Sequence, residues 1–154
     1  MEVGVCSDYL TSISPDEEVM FELESIRSFH LPSDASGAIF FICTGTGYAP
    51  MRGLLQNRAY LQKRGAKLGP AYLIFGSRSS SEGLFHDEIR QFHEDGVLSG
   101  VFLCYSREHG TKREYTTDKL RSPEVKTILN IFMHREYSSP FCFIPFMQYS
   151  NAII

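Results

Sequence analysis

Three short, unbroken apolar runs punctuate the middle of the chain: Ile39 to Ile42, Ala71 to Phe75 and Val101 to Tyr105. Runs of this length, rich in β-branched and aromatic residues and ending in glycine or serine, predict strands buried on both faces. Each is followed by apolar residues at helical intervals. Met51 to Gln62 carries Leu54, Leu55, Ala59 and Leu61 and is closed by Gly65, and His86 to Asp95 is a charged amphipathic helix stopped by Gly96. Thr117 to Phe132 reads as a helix that restarts at Ser122-Pro123. Strand and helix in alternation predict an α/β fold, a Rossmann-like parallel sheet flanked by helices with right-handed crossovers.

The flanks read differently. Gly4 to Leu10 opens a short helix, either an ordinary one capped by Ser7 or a phosphate-facing one. After a turn at Ser14-Pro15-Asp16-Glu17, Val19 to Leu23 and Phe29 to Leu31 read as two antiparallel strands, and Pro32 to Gly37 as a linker. The expected division is therefore 1–32 as the end of a preceding domain, 33–132 as the α/β domain, and 133–154 as a divergent, poorly ordered tail. Within the tail, Phe141 to Met147 could add an edge strand, the position that Pro145 favours. A truncated or misassembled reading frame explains the tail equally well.

Composition narrows the function. The 154 residues suit one such domain, and 43% hydrophobic residues is ordinary for a globule. The net charge of −3 comes with no basic tract, so nucleic acid is not an expected partner. Cys6, Cys43, Cys104 and Cys142 lack metal-site spacing and are expected to be reduced. His86 and His93 have no neighbouring ligand pair and read as surface residues; Arg52, Arg58, Lys63 and Arg64 read as solvated. Neither a secretory signal nor a membrane-length apolar segment is visible, so the expected location is cytoplasmic, with membrane association only through other parts of a parent protein.

The candidate chemistry sits where the strands end. Gly45-Thr46-Gly47 joins the first strand to its helix, with Pro50 in the first helical turn. Unpaired N–H groups at a helix start and close approach at glycine suit a phosphate, with Thr44 and Thr46 hydroxyls as further donors. Tight strand–helix packing accounts for the same loop just as well. The other ends are Gly76-Ser77-Arg78 and Ser106-Arg107, and a parallel sheet brings all three to one edge, where ligands of such sheets bind. Two arginines with Lys112 on that edge point to an anionic ligand with several phosphates.

The motifs GVCSDYL, FHLP, CTGTGYAPMRGLLQNRAYL, LIFGSR, DEIRQFHEDGVL and CYSRE, in that order, resemble the NADPH-binding half of ferredoxin–NADP reductase-like flavoenzymes. Within these they are most similar to the diflavin reductases, of the NADPH–cytochrome P450 reductase and fused P450 reductase type. The resemblance implies an FNR-type NADP-binding module preceded by a short remnant of the antiparallel FAD-binding barrel. It implies that Gly4, Val5, Cys6 and Ser7 belong to the segment holding the FAD pyrophosphate, so that this chain carries a partial FAD site. It places Gly45, Thr46, Gly47 and Pro50 under the NADPH pyrophosphate and nicotinamide side, with Arg78 close by. Ser106, Arg107, Lys112 and Tyr115 correspond to the group gripping the adenosine 2′-phosphate, with Tyr115 stacked on adenine.

Departures from the pattern are Ser77 where a cysteine is usual, Thr117 where a glutamine is usual, and one extra residue between Lys112 and Tyr115. The closing Cys-Gly-Asp segment is not recognisable, and no residue is assigned a catalytic or metal-binding role. The implied function is the NADPH-binding portion of an oxidoreductase passing hydride to FAD and electrons on through FMN to a haem protein. The other flavin domains would be its partners, and the chain alone would not be competent. The alternatives are a non-catalytic nucleotide-binding module and a truncated inactive product.

Overall fold

The computed structural model of the chain describes residues 4–22, 24, 29–82, 85–134 and 142–146. A short helix, α1 (Val5–Ser12), comes first, followed by β1 (Ile39–Thr44) and a 3₁₀ turn over Gly45–Gly47. Next come α2 (Tyr48–Lys63), β2 (Ala71–Ser77), α3 (His86–Glu94) and β3 (Gly100–Tyr105). Two further helices, α4 (Thr116–Arg121) and α5 (Pro123–His134), precede β4 (Cys142–Phe146).

The strands form one four-stranded sheet in the order β3-β2-β1-β4, every neighbouring pair parallel. This is the Rossmann-like α/β architecture that the alternation predicts. Ile39 pairs with Ala71 and Cys142, and Tyr72 with Gly100. β4 is the edge strand expected around Pro145, which stands opposite Ile42; an edge tolerates the missing N–H.

The period-two alternation of β1 divides its side chains between two cores. Ile39, Phe41 and Cys43 face one way and pack with Met51 and Leu55 of α2 and with Ile89 and Phe92 of α3. Phe40 and Ile42 face the other way and meet Ile74, Cys104 and Val125 of α5. Phe40 also stacks on Tyr72 with ring centroids 4.9 Å apart. Each large apolar side chain fully buried in this way contributes about 1.5–3 kcal/mol. The central strands are thus packed on both faces, and their carboxyl ends set where the following segments start. Among the described residues no helix is long and apolar enough to cross a membrane.

Four local readings need correction. Of the expected strand Val19 to Leu23, Leu23 lies outside the described residues and 19–22 carry no strand, and 29–31 carry none either. An isolated pair of strands is marginal without further strands or a helix to cover it; Met20 and Phe21 are 99% and 78% exposed, while Phe29 and Leu31 pack on the α2–α3 core instead. Ser7 does not cap α1: Gly4 does, and Ser7 lies inside the helix, where its carbonyl accepts from Thr11 Oγ1 at 2.8 Å. Arg58 is not solvated but 2% exposed, with Nη2 donating to the Gly69 carbonyl at 2.7 Å. His86 is not a surface side chain: its ring is edge-on to Phe75 and Tyr105, and its Nε2 is buried.

The expected linker is closely tied down. Asp34 Oδ1 accepts from Ser36 N–H and Oγ–H at 2.9 and 2.6 Å. Gly69 N–H donates to the Ala35 carbonyl at 2.8 Å, and Ile39 N–H to that of Pro70 at 2.9 Å.

Candidate functional site

β1 delivers Thr44 to the carboxyl edge of the sheet, and the chain turns there at once. Gly45 adopts φ +52°, a left-handed conformation that side chains disfavour, which lets the 3₁₀ turn begin directly after the strand. Tyr48 N–H donates back to the carbonyls of Gly45 and Thr46 as α2 begins. The Tyr48 ring is buried against Phe75 and Phe85, with centroids 5.6 and 4.8 Å away, and this anchors the turn from below. Burial, with the nearby Glu88 charge, raises the pKa of its phenol, so it stays neutral. Pro50 is the third residue of α2, in the turn where a missing N–H costs nothing.

The next two strand ends are stitched together through their backbones. Ser106 N–H donates to the Ser77 carbonyl at 3.1 Å and Arg107 N–H to that of Arg78 at 2.7 Å. One residue on, the Glu108 carboxylate accepts from Ser80 N–H at 2.5 Å, and this bond lowers the Glu108 pKa below the usual carboxylate value. The chain then returns to β3, with Glu114 N–H donating to the Tyr105 carbonyl at 2.9 Å. Asp118 accepts from Tyr115 N–H at 3.0 Å, which sets Tyr115 at the mouth of α4.

These elements enclose a cleft of about 670 Å³ along the carboxyl ends of β1, β2 and β3. One wall is Thr44, Gly45 and Thr46; the floor includes Gly76 and Cys104; Arg78 follows β2, and Ser106 and Arg107 follow β3. Residues 113–117 close the far side. A Cβ at Gly76 would meet the methyl groups of Thr44 and Thr116 at 3.0 Å, so glycine there keeps the floor open. Burial pushes the Cys104 thiol up to about 12, which leaves the floor uncharged.

The residues expected at one edge are thus distributed unequally. Gly45, Thr46, Arg78, Ser106, Arg107 and Tyr115 are brought together on the cleft. Gly47 is buried in the turn and Pro50 lies in the first turn of α2, so both shape the wall without lining it. Lys112 is exposed and is not on the cleft wall, and Arg113 lines it instead. The extra residue before Tyr115 is the signal for this shift. Gly4, Val5, Cys6 and Ser7 lie at the start of α1, which buries none of its residues, and none of the four lines the cleft. Glu114 and Thr116 went unnoticed in the sequence because only the backbone return to Tyr105 and the start of α4 bring them in. Ser77 and Thr117, the two departures from the diflavin pattern, both line the cleft.

Chemically, the cleft combines the Gly45–Thr46 turn that leads into α2, small hydroxyl donors and the guanidinium groups of Arg78, Arg107 and Arg113, none of which makes an ion pair among the described residues. The one acidic residue lining it among the described residues, Glu114, is already paired, with Oε1 3.1 Å from Lys119 Nζ. Tyr115 is 48% exposed, leaving a ring face available for stacking. This donor set fits a polyphosphorylated nucleotide.

Comparison with known proteins agrees with the geometry. The profile of the oxidoreductase NAD-binding domain matches residues 41–127. The chain is 40% identical over 117 residues to a nitric oxide synthase-like protein of Bombyx mori, covering 75% of this chain and 11% of that protein. It is 35% identical over 135 residues to the inducible nitric oxide synthase of Homo sapiens, covering 86% and 12%. To a bifunctional cytochrome P450/NADPH–P450 reductase of Bacillus subtilis it is 33% identical over 129 residues, covering 83% and 12%. It therefore spans about a tenth of the length of these relatives.

Proposed function

We propose that this chain, which belongs to the family of oxidoreductase NAD-binding domains, takes NADPH in the cleft at the carboxyl edge of its sheet. The carrying observation is the convergence of the Gly45-Thr46 turn with Arg78, Arg107 and Arg113 on one cleft. Arg107 and Arg113 provide counter-charges for the adenosine 2′-phosphate, and Ser106 a hydroxyl donor. Lys112, exposed and next to Arg113 in the chain, adds to the positive field. Tyr115 stacks on the adenine. Thr46 and the start of α2, shaped by Gly47 and Pro50, hold the pyrophosphate together with Arg78.

When bound, NADPH supplies a hydride, and in the proposed parent enzyme its acceptor is FAD, with FMN and a haem protein downstream. This chain binds and orients, and none of its side chains is given a chemical step. The Gly4–Ser7 segment forms its part of an FAD site only against a flavin domain, since on its own it offers no enclosed surface. On this reading residues 1–32 end a flavin domain, 33–132 bind NADPH, 133–154 form the divergent tail, and the chain alone is not a competent reductase. The setting is cytoplasmic, with the thiols reduced.

Calorimetric titration of the full chain with NADPH and NADH tests this reading through Arg107→Ala. A charge-assisted hydrogen bond contributes about 1.5–3 kcal/mol. The substitution should therefore weaken NADPH roughly ten- to a hundredfold and NADH hardly at all. Equal losses for both nucleotides would refute the role of Arg107.

A further inference from the structure

The cleft that carries three arginines is also lined by the acidic residue Glu114. Two contacts fix its place: the backbone bond to the Tyr105 carbonyl at 2.9 Å, and the ion pair with Lys119 Nζ at 3.1 Å. The Glu114 and Lys119 side chains are 35% and 19% exposed, so the pair is partly shielded from water. Lys119 belongs to α4 and does not itself line the cleft.

An uncompensated carboxylate beside the adenosine ribose favours NADH, because it accepts from the free 2′-hydroxyl and repels a phosphate at the same place. Glu114 would be such a carboxylate without its lysine partner, which compensates its charge. We propose that the Glu114–Lys119 ion pair sets the cofactor preference of this cleft, Lys119 masking a carboxylate that would otherwise select NADH. The inference rests on the nucleotide reading above and goes beyond it by naming what keeps an acidic residue compatible with the 2′-phosphate. With Lys119 removed, Glu114 either repels that phosphate directly or turns to pair with a guanidinium group that would have gripped it. Both routes penalise NADPH selectively.

The test compares the affinities of the full chain for NADPH and NADH by calorimetry. Lys119→Ala should lower the NADPH-to-NADH affinity ratio about tenfold, and Glu114→Gln alone should raise it. Adding Glu114→Gln to Lys119→Ala should restore the ratio, while Lys119→Arg should preserve it. A lysine that merely steadies α4 would lower both affinities alike and would not be rescued by Glu114→Gln; that pattern overturns the proposal. A wild-type chain that binds neither nucleotide defeats the nucleotide reading itself. One that prefers NADPH with a ratio unmoved by these variants defeats only the role of the pair.

Discussion

Gly69→Ala isolates a close approach between the segments that lead into β1 and β2. The residue has no left-handed φ, so on backbone grounds alanine should be accepted and should stabilise by roughly 0.4–1 kcal/mol through the unfolded chain. Space decides otherwise. A Cβ at Gly69 would collide with the carbonyl oxygens of Ser36 and Gly37, which are backbone atoms that no rotamer change can move. Gly69 is also held on both sides, its N–H to Ala35 at 2.8 Å and its carbonyl to the buried Arg58 at 2.7 Å. Overpacking costs about 1–3 kcal/mol, and straining two hydrogen bonds adds about 1 kcal/mol each. The net loss expected is about 2–4 kcal/mol, or a fall in Tm on the order of 10 °C for a chain of this length. Urea and thermal unfolding followed by circular dichroism measure it. Because Gly69 precedes β2 and the cleft lies at the other end of that strand, nucleotide affinity well below Tm should be unchanged. A loss under about 0.5 kcal/mol, or a gain, would refute the steric argument.

The Glu108–Ser80 bond predicts a pH-dependent loop: since folding lowers the Glu108 pKa, its contribution is complete above the ordinary value of 4.5 and is lost as pH falls through the lower folded value. Protection of the Ser80 amide from hydrogen exchange should vanish over that acid range, and Glu108→Ala should abolish it at every pH; protection that persists in the variant would contradict the bond. Burial pushes the Cys43 and Cys104 thiols up to about 12, while Cys6 is exposed. Iodoacetamide at pH 8 should therefore label Cys6 well before either of them, and comparable rates would show that the core opens.

Much of the framework was legible because its strands are unbroken apolar runs that end in glycine or serine, and such runs have few alternatives to the centre of a parallel sheet. β1, β2 and β3 extend the predicted runs by no more than two residues. The convergence of Thr46, Arg78 and Arg107 followed from topology alone, since parallel strands share a carboxyl edge. What the sequence concealed depends on contacts across many residues. Nothing in the spacing of Arg58 marks it as buried beneath Gly69, because that needs the 35–37 and 65–70 segments to meet. His86 lies on a charged helix, yet its position faces Phe75 and Tyr105 on the neighbouring strands. Arg113 displaced Lys112 for a geometric reason, the return of Glu114 to β3, which fixes which residue of the loop turns inward. The upstream strands failed because local β propensity cannot pair a strand without a neighbour.

The central claim, that this edge of the sheet is built for a nucleotide bearing a 2′-phosphate, is tested most directly with two small ligands that differ in that group alone. Calorimetric titration of the wild-type chain with 2′,5′-ADP and with 5′-AMP, at low and at high salt, should show tighter binding of 2′,5′-ADP and an advantage that shrinks as salt screens the arginines. Equal affinity for the two ligands, or no binding of 2′,5′-ADP at low salt, would contradict it.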